Sequence, residues 1–456
     1  MTDDSRSVLL KTIGTRILSE ANDLKRTAPA LASELGFDLA KVESVIAGNS
    51  DLSSAHEVLR AMAETYPISL ADIWVEADDT DHGVRITTAA QSLASSRVFD
   101  RKDAAGGLTP YYEYRDTAMS RTAPFKPEWI KELRVVGDAS PDNKDVAYNN
   151  GHLMHQTTFF VGPVNFYWEI GGQRHCAQMD TGDSNYVTPY VPHSFASRDP
   201  NNLGLILAVT YGGELRRALS DFSYLDADTL EDLAADPRKP DEAFVRLLAN
   251  HTAAESLNEM QLLDRLTEAG FERQRARELV TSGGASDEEI RVIAEAMSLS
   301  PSDLTVSPME HGREVVVTHR NGSQKRRYPD EETPAYEFTE MARTKHQPYL
   351  KGLDVAVLDG SIANMQHSLH QYTYNYGDTP VSMAWGDDES AVLMPGDSSY
   401  IRPMVRHRFE QVDGAGTGNL VVIRIPGGLS GQIMAEFSAF APEGRRRVAG
   451  ETTQWY

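Results

Sequence analysis

Two kinds of hydrophobic spacing alternate along the chain. In "LASELGFDLAKVESVIAGN", from Leu31, and in "SAHEVLRAMAETYPISLADI" after it, apolar residues recur at three and four positions, with Gly at the breaks. That is the stripe of short amphipathic helices. The same pattern returns in "LTEAGFERQRARELVTSGG", from Leu266, and in "DEEIRVIAEAMSLSPSDL". Between and after these stretches the spacing shortens to two. "TTFFVGPVNFYWEIGG", "SNYVTPYVPHSF" and "LGLILAVTYGG" are short runs of β-formers broken by Gly, Pro, Asn and Asp. They predict antiparallel strands joined by turns, closing as a small barrel or jelly roll. The chain therefore reads helices, strands, helices, strands, an α+β protein. The helical units fall at 8–76 and 245–306 and the β units at 84–215 and 308–450. The acidic stretch from Asp221 to Asp241, with Pro237 and Pro240, reads as the linker.

The order repeats because the sequence does. "TGDSNYVTPYVPHSF" (Thr181 to Phe195) and "PGDSSYIRPMVRHRF" (Pro395 to Phe409) share Gly-Asp-Ser, Tyr, Pro, His and Phe at matching places. Upstream, His-x-x-His-Gln begins at His152 and again at His367. His152 precedes His193 by 41 residues, and His367 precedes His407 by 40. Two linked segments agreeing in content and spacing indicate a duplicated helix-plus-strand unit.

Charge narrows the function. The 456 residues carry 44 basic and 67 acidic side chains, a net charge of −23. Such a chain is repelled by phosphate backbones, which argues against nucleic acid as its main partner. The helical units resemble helix-turn-helix modules, and a cupin-containing transcriptional regulator is the reading from another class. Its reading helix would need basic or amide side chains. "FDLAKVESVIAG" has one Lys and two acids, so a packing module fits better. The single cysteine, Cys176, excludes an internal disulfide and a cysteine-based metal cluster. No apolar run approaches membrane-spanning length, and "MTDDSRSVLL" has no signal-peptide pattern, so a cytoplasmic protein is expected.

The stretch "NNGHLMHQTTFF" holds the candidate chemistry. Side chains four apart on an extended strand lie ~13 Å apart, too far to share a metal. If His152 and Gln156 both ligate, the chain turns or bulges between them, and Asn149-Asn150-Gly151 supplies permissive backbone just before. His193 returns on a later strand as a third donor. Two His and one oxygen donor on one face leave three positions open, the arrangement of non-haem Fe(II) oxygenases. His155 rivals Gln156, but neighbouring strand residues point to opposite faces, so the two do not serve together. The plain alternative is a pair of buried, hydrogen-bonded histidines in a non-catalytic barrel.

A Pro-Gly-Asp turn before a strand that ends in His resembles cupin barrels, and two of them make a bicupin. More specifically, "NNGH", Gln156 four residues on and "YVTPYVPHSF" resemble the phosphonate-active non-haem iron oxygenases. That family includes hydroxyethylphosphonate dioxygenase and hydroxypropylphosphonate epoxidase. Its branches differ in the third ligand. The epoxidase has Glu four residues after the first His, and the dioxygenase has Glu in the "YVxP" segment. Here Thr188 stands at the latter place, and Gln156 at the former matches the branch that makes methylphosphonate. The resemblance implies Fe(II) on His152, Gln156 and His193. It implies 2-hydroxyethylphosphonate and O2 as substrates, a C–C cleavage to methylphosphonate and bicarbonate, and a symmetric homo-oligomer. The dioxygenase outcome, hydroxymethylphosphonate and formate, is the alternative.

For the phosphonate the resemblance implies Lys25, Arg101, Tyr114 and Asn149. Lys102 and Tyr112 are the neighbouring alternatives to the second and third. The place of Lys25 in the second helical unit is taken by Glu259, an asymmetry that suggests a task; the plain reading is a solvated helix lysine. The second β unit carries a copy of the triad, His367, Gln371 and His407, and the resemblance implies that it is non-catalytic. Asn364-Met365-Gln366 replaces Asn-Asn-Gly there, Arg402 replaces Thr188, and Arg406 and Arg408 flank His407. Their positive charge disfavours a second metal.

Overall fold

A computed structural model describes residues 3–310, 312–358, 362–412, 414 and 416–455. The first helical unit runs Asp3–Asp23, Ala28–Leu35, Leu39–Ile46, Leu52–Thr65 and Leu70–Ile73. Its stripe residues, among them Ile13, Ile17, Leu31, Val42, Val58, Leu59 and Met62, are fully buried against one another. Caps fix the element ends. Thr27 accepts from Ala30 N ahead of the second helix, and Gly36, at φ 73°, ends it in the left-handed region that glycine adopts freely. The second helical unit repeats the plan with Pro240–Ala254, Glu259–Glu268, Arg273–Ser282 and Asp287–Ala296, and Leu262, Leu266, Leu279 and Ile293 fill its core. The expected linker is not all irregular. Asp226 caps a helix over Ala227–Leu233 that buries none of its residues. A helix without an apolar stripe leaves no periodic signal to read. No helix among the described residues is long and apolar enough to cross a membrane.

Among the described residues the strands form two seven-stranded and two three-stranded sheets, antiparallel in each strand ladder, rather than two closed barrels. In the first β unit the strands Gln173–Met179, Val164–Ile170 and His193–Ser197 make the small sheet. It packs on the large sheet through Phe166, Met179 and Phe195 against Tyr112, Ile130, Phe160 and Ile206. The second unit repeats this with Val381, Met383, Leu393 and Phe409 against Val355, Leu420 and Val422. The two large sheets then face each other. Phe125, Phe159, Leu207 and Val209 of one meet Tyr372, Tyr374, Val421 and Ile423 of the other. The result is four layers, three, seven, seven and three strands. Both faces of Leu205–Tyr211 are covered, which explains its continuous apolar run "LILAV".

The first strand of each unit is exchanged. Val84–Thr87 pairs with Ser398–Ile401 of the second large sheet, and Val315–Thr318 pairs with Ser184–Val187 of the first. The duplicated Gly-Asp-Ser turn secures the exchange. Asp183 accepts hydrogen bonds from Asp180 N at 2.9 Å, Arg320 N at 2.8 Å and His319 Nδ1 at 2.9 Å, while Ser184 Oγ accepts from Ala342 N at 2.8 Å. In the second copy Asp397 accepts from Met394 N and Ala89 N, and Ser398 Oγ from Ala118 N. Gly182 must be glycine twice over: its φ is 94°, and a Cβ would lie 2.3 Å from Arg320 Cδ.

Candidate metal centre

The first β unit encloses a cavity of about 90 Å³ lined by Arg101, Tyr112, Tyr114, Glu128, Ile130, Ala147, Asn149, His152, Gln156, His193 and Phe195. Its donors come from three places. Gln156 is the second residue of the strand His155–Val161 and points inward. His193 opens the strand His193–Ser197 of the small sheet. His152 lies in the turn just before the Gln156 strand, so the four-residue spacing closes through a bend. Gly151 makes that bend possible. Its φ is 70°, and a Cβ there would meet the Tyr190 backbone at 2.4 Å. Tyr190 N donates to His152 O at 2.8 Å and holds the turn in place.

Each donor is oriented from behind. His152 Nδ1 donates to Met154 O at 3.0 Å, and His193 Nδ1 donates to Val191 O at 2.8 Å. With the proton on Nδ1, both Nε2 lone pairs look into the cavity. Gln156 Nε2 donates to Thr158 Oγ1 at 3.0 Å, which turns its carbonyl oxygen toward His152 Nε2, 3.2 Å away. Two acceptors face each other there, an arrangement a cation between them relieves. The imidazole rings of His152 and His193 stand edge to face, 5.3 Å between centroids. Burial lowers the His193 pKa to about 4, so the ring is neutral, as a ligand must be. This donor set fits a divalent ion of borderline softness. Among the described residues no group of three or more His, Cys, Asp or Glu offers a metal site, so the amide of Gln156 is what makes this one.

His155 is turned away, on the opposite face of its strand. Its Nδ1 donates to Tyr186 Oη at 2.7 Å, its ring stacks on Tyr211, and Gln347 Nε2 donates to its Nε2 at 3.4 Å from the second β unit. Burial lowers its pKa to about 4. Thr188 lies outside the cavity lining, its N–H donating to Glu314 O.

The anion-binding expectations divide. Arg101 is half-buried and lines the cavity, while Lys102 beside it is exposed, as strand alternation requires. Tyr114 and Tyr112 both reach the cavity. The Tyr112 hydroxyl is occupied, accepting from Phe195 N at 3.1 Å and lying 3.2 Å from Ser194 Oγ; that of Tyr114 has no partner among the described residues. Asn149 clamps His193: its Oδ1 accepts from His193 N at 2.9 Å, and its Nδ2 donates to Nε2 at 3.1 Å. Lys25 is elsewhere. Its Nζ donates to Asn22 O and lies over the Trp455 ring, and it takes no part in lining the cavity within its own chain. Helix position carries no information about which barrel a side chain reaches.

Glu128 was not foreseen. It lines the cavity from the strand Phe125–Glu132, and burial raises its pKa against the pull of Arg97 and His152. One signal existed: an acid on the same strand face as Ile130, among inward positions.

In the second β unit His367, Gln371 and His407 adopt the same geometry. His367 Nε2 lies 3.0 Å from Gln371 Oε1, and both Nδ1 atoms donate to backbone carbonyls. The arginines expected to crowd this site turn aside, Arg402 to Asp78 and Arg408 to Glu410. Arg424 takes their role. It stands opposite Gln371 in the sheet, and its Nε donates to Gln371 Oε1 at 2.8 Å.

No known protein-family model matches the chain. It is 35% identical over 452 residues to methylphosphonate synthase of Nitrosopumilus maritimus (strain SCM1), spanning 97% of this chain and 95% of that one. A shorter match, 26% identical over 136 residues, links 29% of it to 62% of the (S)-2-hydroxypropylphosphonic acid epoxidase of Streptomyces wedmorensis. Among solved structures, the Streptomyces albus hydroxyethylphosphonate dioxygenase with 2-hydroxyethylphosphonate and Fe(II) bound superimposes with a TM-score of 0.87. That pair is 33% identical, and the match covers 98% of this chain and 99% of the other. Identity of that extent over nearly the whole length of both proteins establishes descent, and the chain belongs to the methylphosphonate synthase family of non-haem iron oxygenases.

Proposed function

We propose that the protein cleaves the C–C bond of 2-hydroxyethylphosphonate with O2, giving methylphosphonate and bicarbonate, on an Fe(II) held by His152, Gln156 and His193. Carbon, phosphorus and oxygen balance without a further reductant, because the substrate supplies the electrons. The observation that carries the reading is the Gln156 amide oxygen, 3.2 Å from His152 Nε2 inside the cavity, with Thr188 outside its lining. That pattern favours the synthase over the dioxygenase, whose third donor stands at the Thr188 place.

The iron, when bound, supplies open positions where substrate oxygens and O2 meet. The protein's own groups do the rest. Arg101 offers a guanidinium fork to the phosphonate oxygens, and the free Tyr114 hydroxyl offers a further donor. The Asn149 amide, now spent on His193 Nε2, is released for the substrate once that nitrogen ligates. Phe195 and Ile130 keep the cavity wall apolar, which strengthens each of these contacts. A neutral amide leaves the site one unit more positive than a carboxylate would, which favours a dianionic phosphonate. The architecture this reading requires is a bicupin: helical units at 8–76 and 245–306, a catalytic sheet pair at 84–215 and a non-catalytic one at 308–450. Lys25 joins the phosphonate site only if it comes from another subunit of a homo-oligomer.

Product analysis by ³¹P NMR on iron-loaded protein tests the reading. Methylphosphonate is expected. Hydroxymethylphosphonate would reject it in favour of the dioxygenase, and chelation of the iron should abolish either product.

A further inference from the structure

The second β unit encloses a cavity of about 280 Å³, larger than the first, lined by Arg326, Tyr328, Phe338, Leu353, Met365, Gln366, His367 and Arg424. Its chemistry inverts that of the first. In the first unit Gln156 stands opposite Thr210, a short neutral residue. In the second, Gln371 stands opposite Arg424, whose guanidinium Nε reaches the same amide oxygen that faces the metal position in the first copy. The positive charge is thus carried by a side chain.

That charge lacks a partner. Among the described residues no carboxylate pairs with Arg424; Met365 Sδ, 3.2 Å from its Nη2, is a weak acceptor. Glu340, on the strand paired with that of Arg326, is already shared by Arg326 and Arg343 at 2.6 Å each. Burial, followed by the repulsion of Arg326, lowers the Arg424 pKa to about 10, the sign of a desolvated cation beside a like charge. A half-buried, unneutralised guanidinium is costly, and the cavity in front of it has room for the missing counter-charge.

We propose that this cavity is a binding site for a small oxyanion, held by Arg424 and Arg326, with Arg424 standing in for the metal of the first unit. The guanidinium fork fits the paired oxygens of a phosphate, a phosphonate or a carboxylate. The anion site stands independently of the catalytic reading; only the stand-in clause rests on it.

Metal-free protein titrated calorimetrically with inorganic phosphate, methylphosphonate and acetate tests the site, and the tightest of the three identifies the class. Binding should weaken at least about tenfold in Arg424→Gln and persist in Arg101→Ala, which alters only the first cavity. Equal binding in Arg424→Gln, loss in Arg101→Ala alone, or no binding of any probe at millimolar concentration would overturn it. If Arg424→Gln does not fold, Arg326→Gln, on the exposed strand Lys325–Tyr328, serves instead: several-fold weakening supports the site, and unchanged affinity overturns it. The stand-in clause has its own readout. Arg424→Thr restores the residue of the first copy and should raise Fe(II) binding from one to two equivalents per chain; one equivalent overturns the clause, and loss of the first equivalent as well would instead implicate the catalytic reading.

Discussion

Gln156 and His155 are neighbours with opposite duties because a strand turns its side chains alternately. One looks into the cavity of its own β unit, the other into the seam between the two large sheets. The sequence offered both as ligands and alternation as the arbiter, but not which face was inward. Residue-scale substitution therefore has a sharp expectation. Gln156→Ala should weaken Fe(II) affinity by about tenfold or more, since it removes one of three protein donors. His155→Ala should leave affinity within about twofold while lowering thermal stability, because it empties a packed site between Tyr186 and Tyr211. Titration of both variants with Fe(II) under anaerobic conditions gives the comparison, and the opposite ranking would reassign the third donor.

At the scale of elements, turns do the positioning. Gly151→Ala would force a Cβ toward the Tyr190 backbone at a φ that L-residues avoid. A strain of roughly 1–3 kcal/mol is expected, and the turn that relaxes it carries His152 away. Iron affinity and activity should fall together while the far-ultraviolet circular dichroism stays unchanged; retained affinity would count against the turn's role. The Gly-Asp-Ser turns act on the exchanged strands. Asp183→Ala leaves the Arg320 and Asp180 N–H groups and the His319 ring without their acceptor, a loss of roughly 1–3 kcal/mol for a buried network. Urea unfolding should show the lowered midpoint, and no change would mean the exchanged strand is held by its ladder alone. The repeat of these turns was plain in the sequence. Its purpose was not, since two of the donors to Asp183, Arg320 N and the His319 ring, lie more than a hundred residues away in the other unit.

Across the whole molecule, burial has neutralised histidines in both halves. His155, His193, His367, His370 and His407 are each lowered to about 4, chiefly by desolvation. The unfolded chain, with values near 6.5, binds more protons than the folded one between those limits. Stability is therefore fully present above about pH 6.5 and declines as pH falls toward 4, by about 1.4 kcal/mol per unit for each such group. The raised carboxyls Glu128, Glu132 and Asp354 act in the opposite sense over part of this window, being fewer than the histidines. Urea midpoints of the metal-free protein should be lower at pH 5 than at pH 7; equal midpoints would mean these rings are solvated.

Periodicity, spacing and duplication are local properties of a chain, and they were enough to determine much here. The helical stripes, the two-residue alternation, the matched His-x-x-His-Gln copies and the three candidate donors could all be read without coordinates. What only the tertiary structure decided depends on contacts between distant segments. The exchange of first strands, the large sheets sharing a core in place of closed barrels, the remoteness of Lys25 from its own chain's cavity and the presence of Glu128 in it are of this kind. So is Arg424, an unremarkable residue in "LVVIRIPGG" until a strand register sets it against Gln371. The physical reason is that side-chain direction follows from local backbone geometry, whereas the identity of what a side chain meets follows from which strand is laid beside it.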